Sequence, residues 1–197
     1  MRVLVIGATG TIGRAVSEAL EAGHEVLRAS RNGPLKVDLT DTATLSPLFG
    51  EAGPLDAVVC CAASGPLVPL LDLPAFPDAG FAAALHGKLL GQIALTRRAA
   101  AHLSDGGSIT LTSGTFPAPL PDGSLGALVN SGLEGFVENA AHELPRGVRL
   151  NAVSPGWVTE TLRTLGDEST PGTPAAEVAQ AYVELTEGGV TGRVVRV

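Results

Sequence analysis

Aromatic residues are scarce in this chain, making up 4% of its 197 residues with one Trp and one Tyr. Ala, Val and Leu must therefore fill the core, a composition suited to helices packed on a parallel sheet. Cysteine is nearly absent too, and Cys60 and Cys61 stand side by side in an apolar run. Adjacent cysteines form neither a disulfide framework nor a C-x-x-C metal or redox pair, so both are read as small buried hydrophobes. Positive charge is thin, with 13 Lys and Arg against 20 Asp and Glu for a net charge of −7, and no basic cluster extends beyond Arg97-Arg98. The footprint needed to hold phosphate backbones is missing, so no nucleic acid partner is expected. No apolar run reaches the ~18–20 residues of a membrane span. Met1-Arg2 leads directly into a strand-like segment without the apolar stretch of a signal peptide. No membrane partner and a cytoplasmic location are therefore expected.

What is present is 45% hydrophobic residues, with 25 Gly and 14 Pro spread along the chain. This excludes a disordered tail, a coiled coil and a collagen-like repeat, and the length suits one compact domain over residues 1–197. Val3-Leu4-Val5-Ile6 is the β-branched, all-apolar run of a strand buried on both faces. Helical rhythm follows over 14–22, then strands at 25–29 and 35–37 separated by only Ser30-Arg-Asn-Gly-Pro34. Parallel neighbours normally need a dozen or more connecting residues, so a strained, tight return is expected there. A short helix at 41–49, capped by Asp41 or Thr40, precedes a strand at 55–60. A Pro-rich connector leads to a long Ala/Leu-rich helix at 79–103. Strand 108–112, helix 124–144, strand 148–153, a helix opening at Pro174 and running to 187, and strand 190–197 complete the chain. The alternation predicts an α/β fold, a three-layer doubly wound parallel sheet of about seven strands.

Gly7-Ala-Thr-Gly10-Thr-Ile-Gly13 lies between the first strand and the first helix. A dinucleotide pyrophosphate needs such a side-chain-free turn, with backbone N–H groups free at a helix start. Gly7, Thr9, Gly10, Thr11, Ile12 and Gly13 are therefore candidate cofactor residues; the alternative is a tight turn serving packing alone. The second strand ends Ala29-Ser30-Arg31-Asn32, with no acid to bind the ribose hydroxyls of NAD. An Arg there pairs with a 2′-phosphate, which points to NADP(H) through Ser30, Arg31 and Asn32, unless Arg31 is only a solvated loop residue.

Nearly the whole chain resembles the short-chain dehydrogenase/reductase family, which implies a Rossmann-like NAD(P)-binding fold. Val37-Asp38-Leu39-Thr40-Asp41 is similar to the family's segment after strand three, implying adenine contacts from Asp38 and Leu39. Val58-Val59-Cys60-Cys61-Ala62-Ala63 stands where the family has its Asn-Asn-Ala-Gly turn, which adds Cys61, Ala62 and Ala63 to the cofactor set. Arg149-Leu-Asn-Ala-Val-Ser-Pro155-Gly156-Trp157-Val158 is close to the family's strand-six ending, implying nicotinamide contacts from Pro155, Gly156 and Val158. The glycine spacing is more like the family's extended and atypical branches.

The family's activity usually rests on an Asn-Ser-Tyr-Lys set. Ser113 stands in the Ser position, but the resemblance places the Tyr-x-x-x-Lys pair at Gly126 and Asn130. Lys88 takes the place of the Asn. Tyr182 is read as packing. A Lys among Ala, Leu and Ile in mid-helix needs a partner, a snorkelling route or a cleft, although simple exposure remains open. The catalytic candidates are thus Ser113, Lys88 and Asn130. His24, His86, His102 and His142 share no metal-ligand spacing, and no metal is expected. The resulting expectation is an NADP-dependent oxidoreductase reducing a small carbonyl compound, or oxidising the alcohol, with atypical proton-donor chemistry. The rival is a catalytically silent NADP-binding protein acting as sensor or subunit. The long helices carry small or apolar residues on more than one face, and the family pairs them between subunits, so a homodimer is expected.

Overall fold

Arg2–Ile6 forms β1 in a computed structural model that describes residues 1–62 and 67–197. Its side chains alternate, Leu4 and Ile6 entering one apolar cluster and Val3 and Val5 the other. That alternation is what a strand between two helical layers requires. The remaining strands are β2 (Glu25–Ser30), β3 (Leu35–Lys36), β4 (Leu55–Cys60), β5 (Leu103–Thr112), β6 (Arg149–Ser154) and β7 (Val194–Arg196). All pair in parallel, in the order β3-β2-β1-β4-β5-β6-β7. The sequence reverses direction across the sheet between β1 and β4, the switch point where doubly wound sheets place ligands.

Helices α1 (Thr11–Glu21), α2 (Leu45–Ala52), α3 (Asp78–Leu85), α4 (Gly91–His102), α5 (Ser124–Ala140), α6 (Thr159–Thr164) and α7 (Ala175–Glu187) complete the layers. α1 buries Gly13, Val16, Ser17 and Leu20, the i, i+3, i+4, i+7 face of an amphipathic helix, beside α7. Val16 and Leu20 share their cluster with Val178 and Tyr182, whereas Leu48, Leu95 and Leu133 fill the opposite face. α3 and α4 are one long helix joined by a π-turn at His86–Leu90. Gly91 lets this helix lie close to the chain after β3, since a Cβ there would come within 2.6 Å of the Leu39 carbonyl oxygen.

The return between β2 and β3 is parallel and lacks a crossover helix, as the sequence predicts, but no residue in it has positive φ. The expected backbone strain is absent because only two residue pairs are matched, Ala29 with Leu35 and Ser30 with Lys36. Asp41 rather than Thr40 caps the next turn, accepting from the Ala43 N–H at 3.0 Å. β5 begins earlier than its hydrophobic run suggests. Leu103 already pairs with Leu55, and the register then shifts so that Ser108 meets Ala57. α6 lies within a stretch the sequence leaves without structure.

Candidate active site

The turn after β1 is shaped by its glycines in different ways. Gly7 has φ +80°, and a Cβ on it would come within 2.6 Å of the Ala62 nitrogen. At Gly13 a Cβ would overlap the Gly7 carbonyl, so this glycine serves packing between helix and turn. Gly10 differs from both: its backbone is extended, with φ −76° and ψ 171°, and a Cβ would meet nothing closer than 3.4 Å. Its missing side chain leaves open space at the start of α1, where no side chain caps the helix. Uncapped N–H groups and a bare approach are what a phosphate group needs.

A cleft of about 460 Å³ opens at this point. Gly7, Thr9, Gly10, Thr11 and Ile12 form one wall; Ser30, Arg31 and Asn32 another; Asp38, Leu39, Cys61 and Ala62 the remainder. Twelve of the residues predicted to hold a cofactor thus meet around one cavity. The sequence missed Ile6, Val37, Thr40, Gly87 and Thr161. Gly87 and Thr161 arrive from the π-turn and α6, which the sequence pattern did not reveal. Gly13 sits behind the wall rather than in it. Pro155, Gly156 and Val158, expected at the nicotinamide, do not line this cleft. The Pro155 carbonyl accepts from Thr115, the Gly156 N–H donates to Val197, and Val158 is buried and bridges to Thr173. Pro155 and Gly156 tie together the ends of β5, β6 and β7. Ala63 lies outside the described residues.

Two polar side chains stand side by side at one wall of the cleft. Ser30 is 7% exposed and its Oγ has no hydrogen-bond partner among the described residues, so a buried hydroxyl is held unsatisfied at the cleft wall. Arg31 beside it is exposed. Asp38 accepts from the Thr40 N–H and hydroxyl at 2.9 and 2.8 Å. These contacts, with the nearby Arg31 charge, hold its carboxyl below the usual range.

Beyond the cleft, the three catalytic candidates converge. Lys88 is 7% exposed. Its Nζ donates to the Ser113 carbonyl at 2.9 Å and to Asn130 Oδ1 at 2.7 Å. Simple exposure of Lys88 is thereby excluded. The π-turn that carries it belongs to a class of helix irregularity frequent at functional sites. Burial pushes the ammonium down to about 8, with Cys60 and Glu134 partly opposing the shift. Ser113 Oγ donates to Glu134 Oε1 at 2.9 Å, with the Asn130 carbonyl farther away at 3.3 Å. Its one hydroxyl proton is thus directed at a carboxylate.

Glu134 was missed by sequence reasoning. It also accepts from Ser154 Oγ at 2.8 Å and from Arg196 Nη2 at 2.7 Å. The available signal was its place one helical turn after Asn130, on the same face of α5. Tyr182 is fully buried, with its hydroxyl 2.6 Å from Thr112 Oγ1, a packing residue as expected. Cys60 is buried in the core, where desolvation raises its thiol to about 12, and Cys61 also lies well above the ordinary thiol range. No cluster of His, Cys, Asp or Glu suited to a metal exists among the described residues. No helix among them is long and apolar enough to cross a membrane.

The parallel sheet and the glycine turn at its switch point define a Rossmann-like α/β protein. A family model described as Enoyl-(Acyl carrier protein) reductase matches residues 7–191. The chain belongs to the short-chain dehydrogenase/reductase family. It is 31% identical to D-erythrulose reductase of Gallus gallus over 175 residues, which is 78% of this chain and 70% of that protein. It spans only 20% of the length of another curated relative, matched over 83 residues. Among solved structures, the protein lin1944 from Listeria innocua superposes with a TM-score of 0.92 at 35% identity, covering 100% of this chain and 99% of that one. A small-chain dehydrogenase in complex with NADPH superposes with a TM-score of 0.84 at 25% identity, covering 100% and 96%.

Proposed function

We propose that this chain is an NADP-dependent oxidoreductase acting on a small carbonyl or alcohol substrate, with Lys88 as its proton donor. The observation that carries this reading is the Lys88 ammonium, buried beside Ser113 and Asn130, with three N–H donors and two protein acceptors. The third N–H is left for a substrate oxygen. In the family the helix before β5 supplies an Asn and α5 supplies a Lys; here Lys88 and Asn130 stand in exchanged places, and their direct hydrogen bond keeps an ammonium in the site.

NADP(H) is favoured over NAD(H) by Arg31, by the unsatisfied Ser30 hydroxyl and by the lack of an acid at the end of β2. Thr9, Gly10, Thr11 and Ile12 would cradle the pyrophosphate; Ser30, Arg31 and Asn32 the ribose phosphate; Asp38 and Leu39 the adenine. When bound, NADPH supplies the hydride that reduces the carbonyl carbon. Lys88 then gives one proton to the carbonyl oxygen as the C–O double bond becomes a single bond, and the neutral amine regains a proton from water. A value lowered to about 8 makes this donor more acidic than an ordinary lysine near neutral pH. Asn130 Oδ1 and the Ser113 carbonyl hold the ammonium in place. Ser113 Oγ, with its proton on Glu134, offers lone pairs rather than a proton.

The whole chain is taken to work as one nucleotide-binding unit, paired as a homodimer through α4 and α5. The free thiols of Cys60 and Cys61 suit a reducing compartment such as the cytoplasm. The test is a screen of carbonyl and alcohol compounds for NADPH oxidation or NADP reduction by wild type and Lys88→Met. Turnover by wild type that falls at least tenfold in the variant, with NADPH still bound, supports the reading. NADPH binding without turnover of any compound leaves the silent binder in its place.

A further inference from the structure

A second pocket, of about 590 Å³, lies between the chain after β5, helix α5 and β7, with a set of lining residues distinct from that of the nucleotide cleft. Phe116, Pro117, Pro119, Leu120 and Ala127 give it apolar walls. Its polar groups are unevenly matched. Asn130 is 8% exposed, and because Lys88 can only donate, Oδ1 of the amide must face Lys88 and Nδ2 must face the other way. Asn130 lines the pocket, and its Nδ2 has no partner among the described residues. Gly114 keeps that amide uncovered, since a Cβ there would sit 3.1 Å from Nδ2. Across the pocket, Arg196 uses Nη2 on Glu134 and presents the rest of the guanidinium of its exposed side chain.

Charge points the same way. Lys88, Arg196 and Glu134 sum to one net positive charge around Asn130, because the neighbouring Cys60 stays a neutral thiol. A monoanion would neutralise the cluster. An acceptor-only head matches the two donor groups, and an apolar body matches the walls.

We propose that this pocket is a binding site for a small monocarboxylate with an apolar body, its carboxylate seated between Asn130 Nδ2 and the Arg196 guanidinium. The pocket shares Asn130 with the catalytic cluster of the oxidoreductase reading, but the proposal does not depend on that reading, because binding can be read without turnover. It carries its own reporter: Trp157, the one tryptophan of the chain, lies with its ring centroid 6.2 Å from that of Phe116 in the pocket wall.

The probes are isovalerate and its uncharged isostere isovaleramide, titrated against the full-length protein by Trp157 emission and by calorimetry. Saturable binding of isovalerate is expected, with isovaleramide at least tenfold weaker. Gly114→Ala, which covers Nδ2, and Arg196→Met, which removes the guanidinium, are each expected to weaken isovalerate at least tenfold, about 1.4 kcal/mol. Arg196→Met also frees Glu134, so Gly114→Ala serves as the variant that leaves every ion pair in place. Absence of saturable isovalerate binding, equal affinity for the amide, or wild-type affinity in either variant overturns the proposal.

Discussion

Replacing Lys88 by Met removes the ammonium while keeping most of the volume of its stem, and it acts on stability in two opposed ways. Asn130 Oδ1 and the Ser113 carbonyl lose donors at 2.7 and 2.9 Å. An unsatisfied buried acceptor costs about 1–3 kcal/mol. Against this, burial lowers Lys88 from 10.5 to about 8. At about 1.4 kcal/mol per unit, that shift is on the order of 3 kcal/mol of charge burial that Met does not carry. With two acceptors left unsatisfied, the net change at neutral pH should therefore lie between about 1 kcal/mol of stabilisation and about 3 kcal/mol of destabilisation. The pH dependence is the sharper signature. With the folded value depressed, the unfolded chain holds the Lys88 proton more tightly between about pH 8 and pH 10.5. The contribution of Lys88 to folding stability is thus flat below about pH 8 and rises with pH across that window. Lys88→Met lacks the rise. Denaturant unfolding of both proteins across the window measures it, and a difference between them that does not change with pH would refute the buried ammonium. In the same variant, carbonyl reduction should fall by ~10²–10⁴-fold, the range of a positioned general acid. NADPH affinity should hardly move.

The remaining expectations follow from single residues. Reduction by the wild type should decline as pH rises through about 8, while alcohol oxidation should increase, because one needs the ammonium and the other the free amine; profiles of like slope in both directions would contradict the assignment. Calorimetry should find NADPH bound more tightly than NADH by about 1–3 kcal/mol, with the preference lost in Arg31→Ala; a preference that survives would place the discrimination elsewhere. Gly10→Ala has room for its Cβ and should keep the wild-type melting temperature while weakening NADPH at least tenfold, whereas Gly13→Ala, which overlaps the Gly7 carbonyl, should lose about 1–3 kcal/mol or more of stability. Light scattering at micromolar concentration should give the mass of a dimer, and a monomer would remove α4 and α5 as a pairing surface.

Much of the sheet was legible because each strand is a short run whose alternate residues enter different cores. Leu55–Cys60 is recovered with both ends right, and Val3 to Ile6 forms all but the first residue of β1. Errors gather where tertiary contact overrides local pattern. The sequence pattern starts the fifth strand at Ser108, yet β5 already begins at Leu103 and carries Gly106 at φ +73° within it. Gly192 at φ +71° breaks the apolar run before β7, so that strand starts at Val194 rather than Val190. α5 stops at Ala140 because a turn and the left-handed Arg146 follow. Most of the wall of the first cleft was readable as a group, since it comes from turns directly after β1, β2, β3 and β4. The network around Glu134 was not. It joins α5 to Arg196, 62 residues away, and no local pattern records which distant strand end a helical carboxylate will meet.

Deuterium tracing tests the central claim most directly. NADPH carrying deuterium at the nicotinamide carbon that donates hydride is incubated with the protein and a carbonyl compound that the activity screen selects, and the alcohol product is examined by mass spectrometry. Transfer of the label to the former carbonyl carbon is expected for the wild type and should be lost or greatly slowed in Lys88→Met. Bound but unconsumed NADPH with every compound, or label transfer at an undiminished rate without Lys88, would contradict it.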